Sequence, residues 1–309
     1  MRATAFRCTV GLLGAGTLAL CVALLSTAVA ARGSQPTPLA HATVIGGSPA
    51  EPGTFPSLAF VIDVKGALAD QCTGTVVAAN LVLTAAHCAE NMQTGDLNRA
   101  GDFEVVTGAV EWDAPARQLS GVSRVIIYPQ FSRRLDDGDA ALLVLSTPTT
   151  APAITLATAA NAGWVHAGTA GTIAGWGKTH YLQSVSTKRL QEAPTGVQTS
   201  SWCTHHAVLF DPKKEICTID PPSYRTGGCE GDSGGPLIAV DPASGEPFEI
   251  GVTIRAQYTC ATRFPTVFTR VSDIYPWVHR WIAALKPPPA PVTTTTTTAT
   301  TTAAATAGP

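Results

Sequence analysis

The run Glu230-Gly231-Asp232-Ser233-Gly234-Gly235-Pro236-Leu237 sets one hydroxyl among glycines. Such a backbone can come close enough to a substrate carbonyl for a serine to attack it. The N–H groups of Gly231 and Ser233 would then face a developing oxyanion, and stabilising that charge often contributes more to acyl transfer than anything else. Gly, Asp and Ser are also turn formers, so in isolation the run is more often a turn than a nucleophile. A nucleophile needs a base and an orienting carboxylate. His87 closes Thr84-Ala85-Ala86-His87-Cys88 directly after the apolar Leu81-Val82-Leu83. Alone, it reads at least as well as a satisfied core histidine. Asp139 leads into the apolar run Ala140 to Leu145, where a carboxylate is costly unless an N–H such as an imidazole's satisfies it. Asp136 and Asp137 read as solvated turn residues.

Elements able to position these groups follow from the pattern around them. Short apolar, β-branched runs recur between Gly, Pro and Asn breakers at 58–64, 75–77, 81–84, 103–107, 122–127, 140–145, 171–174, 237–240, 250–254 and 266–271. This spacing predicts an all-β barrel or sandwich. One helix is expected at the end, where Ile274, Trp277, Val278, Trp281, Ile282 and Leu285 repeat at helical steps, with Asp273 as cap and Pro276 in the first turn.

The flanks have a different character. Arg2 and Arg7 precede an apolar run from Val10 to Ala30, with Ala28-Val29-Ala30 as a cleavage site, so residues 1–30 read as a signal peptide; an uncleaved anchor is the weaker alternative. Residues 31–43 read as a propeptide and 44–286 as the folded domain. Residues 287–309, with ten threonines after a proline cluster, read as a disordered stalk. Six cysteines remain beyond the leader: Cys72, Cys88, Cys203, Cys217, Cys229 and Cys260. An even number in an exported chain predicts three disulfides, with connectivity left open. Between Val44 and Lys286 stand 17 Lys and Arg against 22 Asp and Glu, a balance that argues against nucleic acid as a partner.

Together these motifs resemble the trypsin and chymotrypsin family of serine proteases, whose chain order is His, Asp, Ser. The resemblance extends to Val44-Ile45-Gly46-Gly47, Ala174-Gly175-Trp176-Gly177, Pro265-Thr266-Val267-Phe268 and the terminal helix, and covers Val44 to Leu285. It implies two antiparallel six-stranded β-barrels with the active site between them. Ser233 would be the nucleophile, His87 the base and Asp139 its orienting partner, with Gly231 and Ser233 forming the oxyanion hole. It implies the disulfides Cys72–Cys88, Cys203–Cys217 and Cys229–Cys260. It also implies a zymogen in which a freed Val44 ammonium pairs with Asp232. Substrates would be proteins or peptides and partners protein protease inhibitors, with a secreted monomer as the expected form.

Several positions depart from the family's pattern. Thr43 precedes Val44 where relatives carry Arg or Lys. Gly227, followed by Gly228, stands where a trypsin has its pocket aspartate. Thr266 replaces a pocket glycine, and Ile254-Arg255-Ala256 replaces Ser-Trp-Gly. The resemblance therefore implies an elastase-like pocket for small or β-branched apolar residues, with cleavage after Thr43 open to the enzyme itself. Arg255 could recruit acidic residues upstream of the cut and Glu230 could repel them; for both, solvated surface charge is the slightly stronger reading.

Two other classes compete. An inert homologue acting as a binding or adhesion module would normally lack a triad member, and none is missing. A lipase-type elbow fits Gly231-x-Ser233-x-Gly235, but its chain order is Ser, Asp, His, and the downstream histidine, His279, sits on the predicted helix. No cofactor or metal is expected. His205-His206 has no carboxylate or Cys at ligand spacing, and only Glu104 and Glu111 could hold calcium weakly.

Overall fold

A computed structural model describes residues 44–286 except 66, 67, 92, 93, 136, 184, 185, 258 and 261. The leader, propeptide and stalk readings lie outside the described residues. Strands run in chain order β1 (Ser48–Pro49), β2 (Leu58–Lys65), β3 (Leu68–Ala78), β4 (Leu81–Thr84), β5 (Phe103–Thr107), β6 (Gln118–Ile127) and β7 (Ala141–Leu145). They continue as β8 (Thr155–Leu156), β9 (Ala170–Gly175), β10 (Gln191–Val197), β11 (Glu215–Ile219), β12 (Pro236–Val240), β13 (Pro247–Arg255) and β14 (Thr266–Arg270). Helix α1 spans Ser200–His206 and α2 spans Val271–Ala284.

The first barrel closes in the order β2-β3-β4-β7-β6-β5. The second closes as β9-β10-β11-β14-β13-β12, because β10 pairs with both β9 and β11; β1 and β8 join its rim. Closure leaves no bare edge, which suits strands rich in Val, Ile and Leu. Val61, Val76, Leu83, Val105 and Leu142 are buried in the first barrel and Ile173, Leu237, Val252 and Phe268 in the second. A separate cluster joins them: Leu58, Phe60 and Val106 from the first pack with Ala174, Trp176, Leu190 and Ile238 from the second. Phe60 lies between two tryptophans there, stacked 5.3 Å from Trp112 and edge-on 5.6 Å from Trp176.

Four strands and one helix escape the sequence reading, two of the strands being the two-residue β1 and β8. β10 carries Gln191, Glu192 and Pro194, and β11 begins at Glu215, so neither shows a plain apolar run. Helix α1 is short and is held by its cap, Thr199, whose hydroxyl accepts from Trp202 N at 3.2 Å. The terminal helix corrects the expected boundary. It starts at Val271, two residues before Asp273, and Pro276 lies inside it. Val271 is fully buried directly after β14, so packing rather than a capping side chain sets the start. Asp273 falls in the first turn, where its charge suits the helix dipole. Ile274, Trp277 and Val278 form the buried stripe, each burial contributing about 1.5–3 kcal/mol.

Candidate active site

His87 sits one turn beyond β4, at the start of a short 3-10 segment. Asp139 is fully buried just before β7, the strand that pairs with β4. Its two oxygens are both used by one residue: Oδ2 lies 2.6 Å from His87 Nδ1, and Oδ1 accepts from His87 N at 2.9 Å. Backbone and ring are thereby fixed together, with Nδ1 donating, so that Nε2, 3.8 Å from Cys88 Sγ, is the basic nitrogen of the ring. Thr269 Oγ1 donates to the Asp139 carbonyl at 2.9 Å, tying this carboxylate's backbone to β14 of the second barrel. Ile254, where the family's pattern has a serine, is buried and brings no hydroxyl. Asp137, read from sequence as solvated, is buried and ion-paired with Lys214 Nζ at 2.9 Å. The β10–β11 side of the second barrel supplies that lysine, which no local pattern around Asp137 could announce.

The serine loop is pressed against the first barrel. Thr73 N donates to the Ser233 carbonyl at 2.8 Å, and Thr73 Oγ1 donates to the Gly231 carbonyl at 2.9 Å. Thr84 Oγ1 donates to the Thr73 carbonyl, three residues before His87. Gly234 has φ +79°, and a Cβ there would stand 2.0 Å from Thr84 Oγ1 and 2.3 Å from the Thr73 carbonyl, so only glycine allows this approach. The loop's amides divide in two. Those of Asp232, Gly234 and Gly235 bond to Cys229, Thr253 and Asp232 carbonyls, while those of Gly231 and Ser233 have no such backbone partner among the described bonds. Sequence reasoning missed Thr73 and Thr84, whose roles depend on contacts across the two barrels.

Three disulfides brace these pieces. Cys72–Cys88 links the residue before Thr73 to the residue after His87; Cys203–Cys217 ties α1 to β11; Cys229–Cys260 joins the serine loop to the segment after β13.

Asp232 is fully buried and accepts from Gly177 N and Cys229 N, each at 2.9 Å. Burial pushes its carboxyl up to about 7, against the pull of those two N–H groups. The Val44-Gly47 segment docks against the chain that leads into the serine loop: Ile45 bridges to Gly227, and Gly227 N donates to the Ile45 carbonyl at 3.1 Å. Val44 is buried.

A cavity of about 190 Å³ opens beside Ser233, lined by Gly228, Cys229, Thr253, Ala256 and Gln257, with Glu230 and Arg255 at its sides. Thr266 is buried next to Gly228, one of the lining residues. The Thr266 hydroxyl accepts from Gly228 N at 3.0 Å, and its methyl would lie 3.1 Å from a Cβ at Gly228. Arg255 is not the solvated group the sequence suggests, whereas Glu230 is exposed as expected. Arg255 makes a two-pronged pair with Glu215, both N–O distances 2.9 Å, and also donates to the Leu209 carbonyl at 3.1 Å. Glu215 is fully buried, so removing one member of the pair costs about 3–5 kcal/mol. Glu230 is ion-paired with Lys178, whose backbone N–H also donates to the Glu230 carbonyl at 2.7 Å.

Fold and cleft together define a class, that of two-barrel hydrolases braced by disulfides. The trypsin family model matches residues 44–278, and the chain belongs to that family; it is a serine endopeptidase acting on proteins or peptides. It is 32% identical over 268 residues to a trypsin-like protease of Streptomyces glaucescens, covering 84% of this chain and 87% of the relative. It is 31% identical over 204 residues to a trypsin of Saccharopolyspora erythraea, covering 66% and 83%. With human cathepsin G it shares 29% identity over 262 residues, covering 81% and 92%. These relatives and the three disulfides are consistent with an extracellular protein.

Proposed function

We propose that the chain is a secreted endopeptidase, made as a zymogen, that cuts after small or β-branched apolar residues such as Ala, Val or Thr. The observation that supports the specificity is Thr266 bonded to Gly228, a residue that lines the cavity beside Ser233, with Gly227 bringing no charge. A long Lys, Arg, Phe or Tyr side chain would meet Thr266 before it was accommodated, and no carboxylate there would neutralise a cation. The difference of one methylene in such a pocket is worth only about 1–3 kcal/mol, so cleavage is broad within this class.

In the proposed reaction Ser233 Oγ adds to the scissile carbonyl while His87 Nε2 takes its proton. The oxyanion forms toward the Gly231 and Ser233 N–H groups, and His87 then returns the proton to the leaving amine. Asp139 holds the tautomer and stabilises the imidazolium, supported by its two bonds from His87. Water repeats the sequence on the acyl-enzyme. Activation is cleavage after Thr43, an acceptable residue for the enzyme's own pocket. The new Val44 ammonium would supply the cation that buried Asp232 lacks among its described partners, Gly177 and Cys229. We assign residues 1–30 as signal peptide, 31–43 as propeptide and 287–309 as stalk, with a monomer as the active form.

The test is a library of peptides varied only at the residue before the scissile bond, cleaved by the secreted enzyme whose N-terminus has been sequenced. Ala, Val and Thr are expected to dominate and the N-terminus to be Val44. A profile led by Lys, Arg, Phe or Tyr overturns the pocket reading, and full activity with Thr43 still attached overturns the zymogen reading.

A further inference from the structure

The two charges that flank the cavity beside Ser233 are each committed to a partner behind the cleft. Arg255 occupies the position of a wall residue at the end of β13, and its guanidinium is held flat by both oxygens of Glu215 on β11 and by the Leu209 carbonyl. A two-pronged guanidinium–carboxylate pair is the strongest and most directional ion pair available to a side chain. Glu215 is fully buried and Arg255 is only 16% exposed in its side chain, so solvent does little to loosen it. Glu215 is fastened in turn: its Oε2 also accepts from Asp211 N at 2.9 Å, and its carbonyl from Arg270 at 2.8 Å. On the opposite side Glu230 is paired with Lys178, although its side chain is 53% exposed.

We infer that Glu215 is a specificity-determining positioning residue: by locking and neutralising Arg255 it makes the cleft indifferent to charge upstream of the scissile bond. The Glu215 carboxylate cancels a cation that would otherwise face the peptide, leaving size as the main basis of selection. Lys178 does the same for Glu230, less completely because that pair is open to water and screened by salt. The inference rests on the reading that the cavity beside Ser233 receives the residue before the cut.

Two peptide sets keep these readings apart. One varies the residue before the scissile bond and tests the pocket alone. The other fixes Ala there and places Glu, Gln or Lys at each of the three preceding positions. Wild-type kcat/KM in the second set is expected to differ by less than about 3-fold between Glu, Gln and Lys, and these ratios to shift by less than about 2-fold between 50 and 500 mM salt. In Glu215→Gln the Glu-to-Gln ratio should rise about 10-fold or more at one of those positions at low salt. It should fall back at high salt, and vanish when Arg255→Gln is added. Lys178→Met should raise preference for Lys by a smaller factor, about 3-fold. A wild-type preference for Glu of 10-fold or more that collapses with salt overturns the proposal. So does a Glu215→Gln enzyme that still cleaves the Gln peptide with an unaltered ratio. Should that variant fail to fold, the wild-type ratios decide alone.

Discussion

The two barrels contribute to the cleft in opposite states of readiness. The first barrel's contribution is complete: His87 and Asp139 satisfy one another through ring and backbone, and Thr73 and Thr84 present bonded surfaces for the serine loop. The second barrel's contribution is provisional. Its loop places Ser233 against Thr73, yet beneath the loop Asp232 is buried with only backbone N–H donors among its described partners, and burial raises its carboxyl to about 7. Under the proposed zymogen reading, the acid–base pair is built once and left, whereas the oxyanion loop is the part that activation completes. A neutral buried acid is a stable resting state, and a cation arriving beside it is a strong perturbation.

The comparison can be broken most severely at the chemistry shared by both barrels. Ser233→Ala should abolish turnover of an Ala or Val ester down to background, with unchanged thermal unfolding; residual turnover within 100-fold of wild type would remove Ser233 as the nucleophile. Asp139→Asn should lower kcat by about 10⁴, the loss this substitution causes in the chymotrypsin template, because an amide cannot hold Nδ1 as a donor. KM should change little. Gly177→Ala tests the provisional side alone. A Cβ there would lie 2.4 Å from Asp232 Cγ, so kcat should fall about 100-fold or more while the His87–Asp139 pair persists. A low-field NMR signal from that short hydrogen bond would report the pair directly.

The smallest effect is on stability against pH. Asp232 titrates near 3.8 when unfolded and about 7 in the fold, so the folded chain holds the proton more tightly. Its contribution is full below about pH 4 and is lost as pH rises through 7, by on the order of a few kcal/mol. Glu249, buried on β13 and raised to about 8 by burial with Thr75 partly offsetting, extends the same decline to higher pH. Urea midpoints of an uncut chain should therefore fall from pH 4 to 8. Asp232→Asn should lessen the slope between about pH 4 and 7, and Glu249→Gln the slope between about pH 4.5 and 8. An uncut chain whose midpoint rises over that range would contradict both assignments.

How much of this was legible beforehand divides along the distance between partners. The serine run, the histidine after β4 and the carboxylate before β7 are each local signals, and every apolar run falls on a strand, although β3, β6 and β13 start three to seven residues before theirs. β10 and β11 stayed hidden because barrel closure, rather than apolar content, makes Gln191, Glu192 and Glu215 into strand residues. The Arg255–Glu215 pair was invisible for the same reason: its members lie 40 residues apart and meet only across the β13-β14-β11 order. A glutamate heading the otherwise apolar Glu215-Ile216-Cys217-Thr218-Ile219 was the available hint, since a carboxylate is seldom fully buried without a partner. Asp137 and Lys214 repeat the lesson at longer range.

The Cys72–Cys88 bond has a consequence for where such an enzyme can work. It fastens the residue before Thr73, the strand position holding both the Ser233 and Gly231 carbonyls, to the residue after His87. Base and nucleophile cradle are thus covalently one piece, and their registration is written when two thiols are oxidised. In a reducing compartment that registration would depend on non-covalent contacts alone, so such an environment is where the His87 and Thr73 segments are least well set.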